Sequence, residues 1–246
     1  MGERVEGRRA VLEALRGGLD LVRVEVARGA KGDSAIAEIR RAASERGVPV
    51  FEVSRESLDA ASERGRHQGV AAILRGFRYA SLADVFAAHA GDAESTLVVL
   101  DHVTDPGNLG AVARSAEAAG AHAVIVPERR SAPVTAVVHK AAAGALAHLP
   151  VVRVVNVARA LEEIKRAGYW VVGASGDAPT DLWSAPLEGR IALVLGSEGS
   201  GLSRLVSETC DVLVSIPMLG RVGSLNVAQA ATVLLYEHVR RRSAGR

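Results

Sequence analysis

Residues 96–120, TLVVLDHVTDPGNLGAVARSAEAAG, contain the pattern that decides the fold class. They begin with a short run of Val and Leu, cross a turn at Pro106 and Gly107, and continue into a helical pattern that Asn108 is predicted to open. A strand made almost entirely of Val and Leu is typical of a parallel sheet that helices cover on both faces. The segment therefore predicts an α/β fold.

The same alternation of apolar strand and helix continues towards the C-terminus. Because the runs are short, apolar and rich in branched residues, we predict one parallel-sheet domain over residues 94–246. The runs that follow TLVVL are HAVIV at His122, VVRV at Val151, YWVVGA at Tyr169, IALVLG at Ile191 and VLVSI at Val212.

The N-terminal residues 1–75 predict a second, smaller α/β domain. A helix is expected over residues 5–16, and a second helix should end at Gly47, a residue type that commonly follows helices. Strands are expected at residues 21–27, at VPVFEVS and at GVAAIL, with a short helix at RESLDAAS. Residues 76–93 contain no strand pattern and predict a linker with a short helix.

The composition excludes several classes of protein. The 246 residues are 48% hydrophobic and 24% charged, which is typical of a globular protein and not of a disordered or fibrous one. A net charge of +2 and an isoelectric point near 9.0 suit a polyanionic partner. The aromatic share of 3% argues against binding by rows of stacking rings.

The chain has a single cysteine, Cys210, which excludes an internal disulfide and a multi-cysteine zinc site. Its N-terminus lacks the apolar segment of a signal peptide, and no apolar run reaches the roughly 18 residues of a membrane span. We therefore expect a cytoplasmic protein without a membrane partner.

The common catalytic and nucleotide-binding motifs are absent from the sequence. It contains neither a Walker A loop nor a Rossmann glycine fingerprint after the first strand of a βαβ unit. It also lacks the G-x-S-x-G elbow of α/β-hydrolases. The seven histidines are scattered without a ligand spacing, so no catalytic metal is expected.

Three loops that follow strands carry the unusual residues. Ligands of open parallel sheets bind beyond the carboxyl ends of the strands. The loops are DHVTDPGNLG after TLVVL, SEGSGLS after IALVLG, and residues 215–226, SIPMLGRVGSLN, after VLVSI. Ser224 and Asn226 precede a long apolar-periodic helix and are common N-cap types, so capping alone could explain them.

The second and third loops together predict a glycine-lined, apolar pocket. Gly196, Gly199 and Gly201 permit close backbone approach and positive φ angles, so their amides could recognise the edge of an adenine. The side chains that would face the ring are Leu195, Ile216, Met218 and Leu225. Alternatively, the glycines only turn the chain.

Together, DHVTDPGNLGAVARSAEAAGA, LVLGSEGSGLS and IPMLGRVGSLNVAQAATVLLYE resemble, in order, the three motifs of the SpoU–TrmH family of RNA ribose 2′-O-methyltransferases. The resemblance covers roughly residues 96–236 and implies an S-adenosylmethionine-dependent enzyme of the SPOUT superfamily. It further implies a deep trefoil knot and a homodimer in which the last helix packs on its partner. The N-terminal part, ending in RHQGVAAIL, resembles the ribosomal-protein-like RNA-binding domain of the subgroup that methylates a guanosine of 23S ribosomal RNA.

The resemblance also implies which side chains form the catalytic site, namely Asn108, Arg114, Glu198, Ser224 and Asn226. Methyl transfer to a hydroxyl requires alignment and removal of a proton. Because a guanidinium stays protonated, we expect Arg114 to clamp a phosphate oxygen rather than to act as a simple base. A solvated helix arginine is the alternative.

We therefore expect methylation of a ribose in ribosomal RNA, most specifically at a 23S guanosine. The alternatives are a transfer-RNA enzyme, an antibiotic-resistance enzyme, and a non-catalytic RNA-binding assembly factor. Phosphate contacts should dominate RNA affinity. The candidate contacts are Arg4, Arg8, Arg9, Arg64, Arg66 and the C-terminal RRRSAGR.

Overall fold

The computed structural model describes residues 4–29, 34–62 and 65–244. The chain forms two compact units, and the boundary lies between Arg78 and Tyr79. The helix predicted within residues 76–93 is present as Leu82–Ala88, and its Leu82 and Val85 lie in the core of the second unit. The domain limits at residues 75 and 93 stay a prediction.

In its described residues, the first unit is a four-stranded mixed sheet with three helices. Along the sheet the order is β1-β4-β2-β3, with β2 parallel to β3 and antiparallel to β4, which is in turn antiparallel to β1. The elements are β1 (Arg4–Glu6), α1 (Arg8–Arg16), β2 (Leu21–Ala27), α2 (Ser34–Glu45), β3 (Val50–Val53), α3 (Arg55–Ala61) and β4 (Val70–Leu74).

The predicted helix over residues 5–16 is wrong at its start. Val5 and Glu6 belong to β1, where they pair with Ala72 and Ala71 of β4. Gly7 then adopts φ 94, a conformation that breaks the chain direction before α1 begins. Because the apolar spacing of α1 continues by chance into β1, the sequence does not show where the helix begins.

The second unit is a seven-stranded sheet in which every strand pair is parallel, as the Val- and Leu-rich runs predict. Its order is β7-β6-β5-β10-β8-β11-β9. The strands are β5 (Ser95–Leu100), β6 (Ala123–Pro127), β7 (Val151–Val154), β8 (Trp170–Ala174), β9 (Thr180–Asp181), β10 (Arg190–Leu195) and β11 (Val212–Ser215). The two-residue β9 was not predicted.

Six α-helices and two short 3-10 helices connect these strands among the described residues. The α-helices are α4 (Leu82–Ala88), α5 (Pro106–Ala118), α6 (Ala136–Ala142), α7 (Val157–Arg166), α8 (Arg204–Thr209) and α9 (Val227–Ala244), and the 3-10 helices are Ala145–Ala147 and Leu182–Ser184. Within the described ranges, no helix has the length and apolar character needed to cross a membrane.

The strand order places a crevice at the carboxyl edge between β5 and β10. From β5 the chain continues to β6 and β7 on one side, whereas β10 pairs with β5 on the other, with Leu195 opposite Leu100. Ligands of open α/β sheets bind where the strand order reverses in this way. After β11 the chain returns to the β5 side, and Thr232 of α9 bonds Ser115 of α5 at 2.7 Å. This return is compatible with a knot, which stays a prediction.

Candidate active site

Helix α5 is capped by Asp105 and not by Asn108. The Asp105 carboxylate accepts a hydrogen bond from the Asn108 backbone N–H at 2.7 Å, and Pro106 occupies the first turn, where its missing N–H has no cost. The prediction that Asn108 opens the helix is therefore wrong. Because Asp105 makes the cap, the Asn108 side chain is available for contacts elsewhere.

Three side chains that follow β5, β10 and β11 along the chain form one hydrogen-bonded cluster. The amides of Asn108 and Asn226 both donate to Oε1 of Glu198, at 2.8 and 2.6 Å. The Asn226 amide also lies 2.9 Å from Oδ1 of Asn108. Residues 90 and 118 positions apart along the chain thus meet at the crevice between β5 and β10.

Asn226 has two structural roles. Its Oδ1 accepts the Ala228 N–H at 2.8 Å, and its carbonyl accepts the Ala230 N–H at 2.9 Å, so it caps α9. Its amide nitrogen simultaneously holds Glu198. Ser224 lies outside the cap, is exposed, and makes no hydrogen bond to a described residue.

The glycine loop after β10 folds tightly on itself. Ser197 and Gly201 form a bridge, and the Gly201 N–H donates to the Ser197 carbonyl at 3.0 Å. Gly199 and Gly201 have φ angles of 89 and 64, as predicted. A Cβ on Gly196 would lie 2.0 Å from the Gly201 carbonyl carbon. The close approach at Gly196 is therefore to the protein's own backbone, and the glycines do turn the chain.

The remaining pocket residues lie at the same edge of the sheet. Leu195 ends β10 and is buried, while Ile216, just after β11, and Leu225, before α9, are half-buried. Met218 is 36% exposed, and the adjacent Leu219 is 99% exposed. Apolar side chains thus face solvent beside the glycine loop.

Asp101 was missed by the sequence analysis. It is fully buried, its Oδ2 accepts the Ser203 N–H at 2.7 Å, and its own N–H donates to the Leu195 carbonyl at 2.8 Å. These bonds tie the loop that carries Glu198 to the end of β5. The available signal was an acidic residue directly after an apolar strand.

Arg114 does not reach the cluster of its own chain. It lies six residues after Asn108 on α5, which turns its side chain about 120° away around the helix axis. Its side chain is exposed, and within the described part of the chain it forms no hydrogen bond or ion pair.

Several arginines that were candidates for RNA contact are bonded within the chain. Arg4 pairs with Glu25 at 3.0 Å, and Arg242 pairs with Glu94 at 2.7 Å. Arg241 donates to the carbonyls of Leu182, Trp183 and Ala185 and pairs with Glu237. Arg8 donates to the Gln68 carbonyl, Arg9 pairs with Glu13, and Arg240 pairs with Glu237. Arg66 is exposed. Arg64 and Arg246 lie outside the described residues.

The HQG segment of the first unit has a structural role. His67 is buried, its Nδ1 accepts the Gly69 N–H at 3.0 Å, and its Nε2 donates to Asp59 at 2.7 Å. Gln68 between them adopts φ 51. The histidine therefore stabilises a tight turn before β4.

His89, Asp92 and His122 meet at the amino edge of the large sheet. Their possible ligand atoms lie within 4.8 Å of one another, a proximity that the sequence spacing did not indicate. The Thr96 N–H donates to Nδ1 of His122 at 3.0 Å, so the neutral ring carries its proton on Nε2 and has no free lone pair there. Burial, followed by the neighbouring His89, lowers the pKa of His122. This arrangement suits two histidines that each bond a neighbouring group, Asp92 for His89 and the Thr96 N–H for His122, better than a metal centre.

Two protein families match the chain. Residues 95–236 match the SpoU rRNA Methylase family, and residues 4–80 match the RNA 2′-O ribose methyltransferase substrate binding family. The chain is 47% identical over 203 residues to the 23S rRNA (guanosine-2′-O-)-methyltransferase RlmB of Vibrio cholerae, with 81% of each chain covered. It is 45% identical over 241 residues to an uncharacterized tRNA/rRNA methyltransferase of Mycolicibacterium vanbaalenii, with 98% of this chain and 77% of that one covered.

Among solved structures, the SpoU methyltransferase AviRb from Streptomyces viridochromogenes, crystallised in complex with the cofactor AdoMet, matches with a TM-score of 0.71 and 29% identity. The match covers 100% of this chain and 92% of that one. The predicted fold class, an α/β parallel-sheet domain preceded by a small substrate-binding domain, is confirmed. The family resemblance read from the three motifs is confirmed as well.

Proposed function

Because the chain belongs to the SpoU rRNA methylase family, we propose that it transfers a methyl group from S-adenosylmethionine to a ribose 2′-hydroxyl of ribosomal RNA. The observation that carries this proposal is the cluster of Asn108, Glu198 and Asn226 at the crevice between β5 and β10. One residue from each of the three family-like motifs contributes to it. Polar side chains held in fixed positions are what alignment of a hydroxyl requires.

The loops around the cluster fit an adenosyl group. Gly196 and Gly201 hold the backbone of residues 196–201 in a compact turn, and in our proposal amides of this turn other than that of Gly201 bind the adenosyl group. Ile216, Met218 and Leu225 supply apolar surface that is partly open to solvent. When bound, S-adenosylmethionine supplies the activated methyl group. Leu195, at the end of β10, supports the base of this pocket.

In our proposal, the protein positions the acceptor hydroxyl and assists loss of its proton. Glu198 fixes both asparagine amides, so Asn108 and Asn226 present defined donors and acceptors to the nucleotide. Ser224 is exposed beside them and can contact the same nucleotide. Arg114 would hold a phosphate oxygen bidentately, and that oxygen would accept the hydroxyl proton.

We propose a guanosine of 23S ribosomal RNA as the acceptor. This specific assignment rests on the similarity to the Vibrio cholerae enzyme and on the substrate-binding match of residues 4–80. A transfer-RNA substrate is the alternative within the family. We also expect the protein to act in the cytoplasm, where ribosomal RNA is modified in bacteria.

We further propose that the enzyme is a homodimer in which Arg114 serves the site of the partner subunit. Arg114 is exposed and turned away from its own cluster, and α9 carries an exposed Tyr236, 49% accessible, that a second subunit could cover. A dimer that joined these surfaces would complete both sites at once.

One experiment tests the activity directly. The protein is incubated with unmodified ribosomal RNA and labelled S-adenosylmethionine, and the modified ribose is mapped by reverse-transcription stops. We expect a single 2′-O-methyl group, and no label in a DNA copy, because DNA lacks the 2′-hydroxyl. Absence of label together with absence of cofactor binding in calorimetry would leave only a non-catalytic RNA-binding role.

The shared site is tested by mixing two inactive variants. We expect Arg114→Ala to abolish transfer while leaving cofactor affinity nearly unchanged. Refolded together with Glu198→Ala, it should regain about a quarter of the wild-type activity, because half of the dimers would contain one intact site of two. No regain would place Arg114 and Glu198 in the same subunit's site.

A further inference from the structure

The exposed arginines of the second unit differ in whether a carboxylate neutralises them. Arg204 pairs with Glu208 at 2.8 Å, and Arg159 pairs with Glu163 at 3.5 Å. By contrast, Arg129 and Arg130 are exposed and, within the described part of the chain, neither forms an ion pair or hydrogen bond. Two adjacent guanidinium groups therefore face solvent with all their donors free.

These two arginines lie beside the candidate active site. They belong to residues 128–134, which follow β6 at the carboxyl edge of the sheet. The Ala132 N–H donates at 3.0 Å to the carbonyl of Val103, in the loop that leads from β5 to Asp105 and Asn108. The arginines are thus fixed next to the loop that opens the crevice.

Backbone bonds hold residues 128–134 on their other side as well. The Glu128 N–H donates to the Val154 carbonyl at 2.8 Å, and the Val134 N–H donates to the Tyr79 hydroxyl at 3.0 Å. Arg130 has φ 57, a left-handed conformation that is unfavourable for a side chain of this size. Strain of this kind persists where the surrounding structure imposes it, and it is concentrated at functional sites.

A third arginine adjoins the segment. The guanidinium of Arg153 lies 4.4 Å from the centre of the Tyr79 ring, the same tyrosine that accepts the Val134 N–H. Two carboxylates adjoin the segment: Glu128 precedes Arg129 in sequence, and Asp105 lies two residues after Val103, whose carbonyl bonds the Ala132 N–H. Glu128 pairs with neither neighbouring arginine, and Asp105 Oδ1 is engaged by the Asn108 N–H. The charge of the three guanidinium groups is therefore only partly balanced.

We propose that Arg129, Arg130 and Arg153 form a phosphate-binding rim that holds the RNA strand flanking the methylated nucleotide. The inference rests on the proposed function and names where its substrate lies. A guanidinium fork matches phosphate oxygens bidentately, and an RNA strand offers such groups at regular intervals. Because these contacts carry no base information, the rim positions the strand and does not select its sequence.

The test compares RNA binding by Arg129→Gln/Arg130→Gln with binding by a matched control. The control is Arg166→Gln, since Arg166 is exposed and ends α7 at the opposite edge of the sheet, before β8. The dissociation constant for protein-free 23S transcript is measured across a series of KCl concentrations. We expect the double variant to bind about 10- to 100-fold more weakly, and its salt slope to fall by about 1.4 to 1.8 for two lost phosphate contacts. The control should stay within about twofold of the wild type.

Two further measurements separate a binding role from a structural one. Arg130→Gly removes the charge and suits the left-handed backbone, so we expect it to melt no lower than wild type and still to weaken RNA binding. In steady-state assays KM for RNA should rise, while kcat at saturating RNA and the cofactor affinity stay within about twofold of wild type.

If the double variant keeps the wild-type affinity for RNA and the wild-type salt slope, the proposed rim is wrong. An acidic protein would then be the better candidate to bind this surface. Weaker binding with an unchanged slope would also overturn it, because no phosphate contact would have been lost. If the wild type neither binds S-adenosylmethionine nor methylates RNA, the proposed function fails. The salt measurement still decides the rim on its own.

Discussion

At the residue scale, Glu198 determines how the asparagine pair is held. Its Oε1 accepts both amides, at 2.8 Å from Asn108 and 2.6 Å from Asn226, although the side chain itself is exposed. An exposed carboxylate that orders two side chains contributes little to folding. In the proposed mechanism, its contribution is to position donors and acceptors for the acceptor nucleotide.

We predict that Glu198→Ala lowers kcat about 100-fold, because Asn108 and Asn226 lose their common acceptor. The melting temperature should change by about 2 °C or less, since the side chain is exposed. Glu198→Gln keeps one acceptor oxygen, so its kcat should lie between those of the wild type and of Glu198→Ala. Glu208→Ala is the control, because Glu208 is also exposed and pairs only with Arg204. Full activity of Glu198→Ala would exclude the positioning role.

The motifs indicate which residues to expect at the crevice, but not how these residues contact one another. The motifs indicated Asn108, Glu198 and Asn226, and the structure brings these three together. The cap was misassigned because Asp105 and Asn108 are both good N-cap types three residues apart, and only the backbone decides between them. Arg114 could not be placed, because a helix position does not reveal which neighbour it will face.

At the element scale, the loop of residues 196–203 depends on the absence of a side chain at Gly196. The Gly201 carbonyl carbon and oxygen would lie 2.0 and 2.1 Å from a Cβ there, and both belong to rigid backbone. Asp101 holds the far end of the same loop through Ser203. A larger residue at position 196 must therefore displace the whole loop.

We predict that Gly196→Ala weakens S-adenosylmethionine binding about 5- to 150-fold in calorimetry, since overpacking of this size costs about 1–3 kcal/mol. Gly176→Ala is the matched control. Gly176 follows β8 at the same edge, and a Cβ there would meet no atom within 4 Å. Unaltered affinity in Gly196→Ala would show that this loop does not form the cofactor pocket.

The C-terminal helix α9 carries a buried carboxylate, Glu237, that orders two arginines of the same helix. Glu237 is 5% exposed and accepts from Arg240 and Arg241, which lower its pKa to about 2. From the sequence alone, the arginines of the C-terminal RRRSAGR are candidates for RNA contact. Their engagement was not predictable, because the carbonyls and Glu94 that bind Arg241 and Arg242 come from distant parts of the chain.

We predict that Glu237→Gln lowers the free energy of unfolding at pH 7 by about 1–3 kcal/mol. Because the folded pKa is depressed, the carboxylate's contribution is complete above its ordinary pKa of 4.5 and is lost as the pH falls towards 2. Urea unfolding should therefore show the difference between variant and wild type shrinking from pH 5 to pH 3. Glu163→Gln, which breaks only an exposed pair with Arg159, should have little effect at either pH. A difference that is independent of pH would refute the ion-pair explanation.

At the scale of the whole molecule, the class of the fold followed from local patterns, whereas the order of its strands did not. Runs of Val and Leu identify buried parallel strands wherever they pair. The placement of β10 between β5 and β8 depends on crossovers that no local pattern encodes. That placement creates the crevice between β5 and β10. The motifs therefore predict that a site exists, but not which strands form it.

In the second unit, burial lowers the pKa values of His122, His139 and His238. His238 shows the cause most clearly, because its Nδ1 donates to the Leu187 carbonyl at 2.6 Å and its Nε2 lies 2.8 Å from the Thr96 hydroxyl. A charged ring cannot accept from Thr96, and it would lie in the core between α9 and β5. The folded state therefore resists protonation of His238, whereas the unfolded chain does not.

This resistance predicts that stability is lost on mild acidification. The histidines contribute fully above their ordinary pKa of 6.5, and the contribution falls as the pH decreases below that value, by up to about 1.4 kcal/mol per pH unit for each group. We expect urea unfolding to show a smaller free energy at pH 5 than at pH 7. His238→Gln should reduce this slope, and His148→Gln, at an exposed position, should leave it unchanged. A slope that His238→Gln does not alter would mean that His238 binds protons equally in the folded and unfolded states, and the bonds it makes between α9 and β5 would then not depend on a neutral ring.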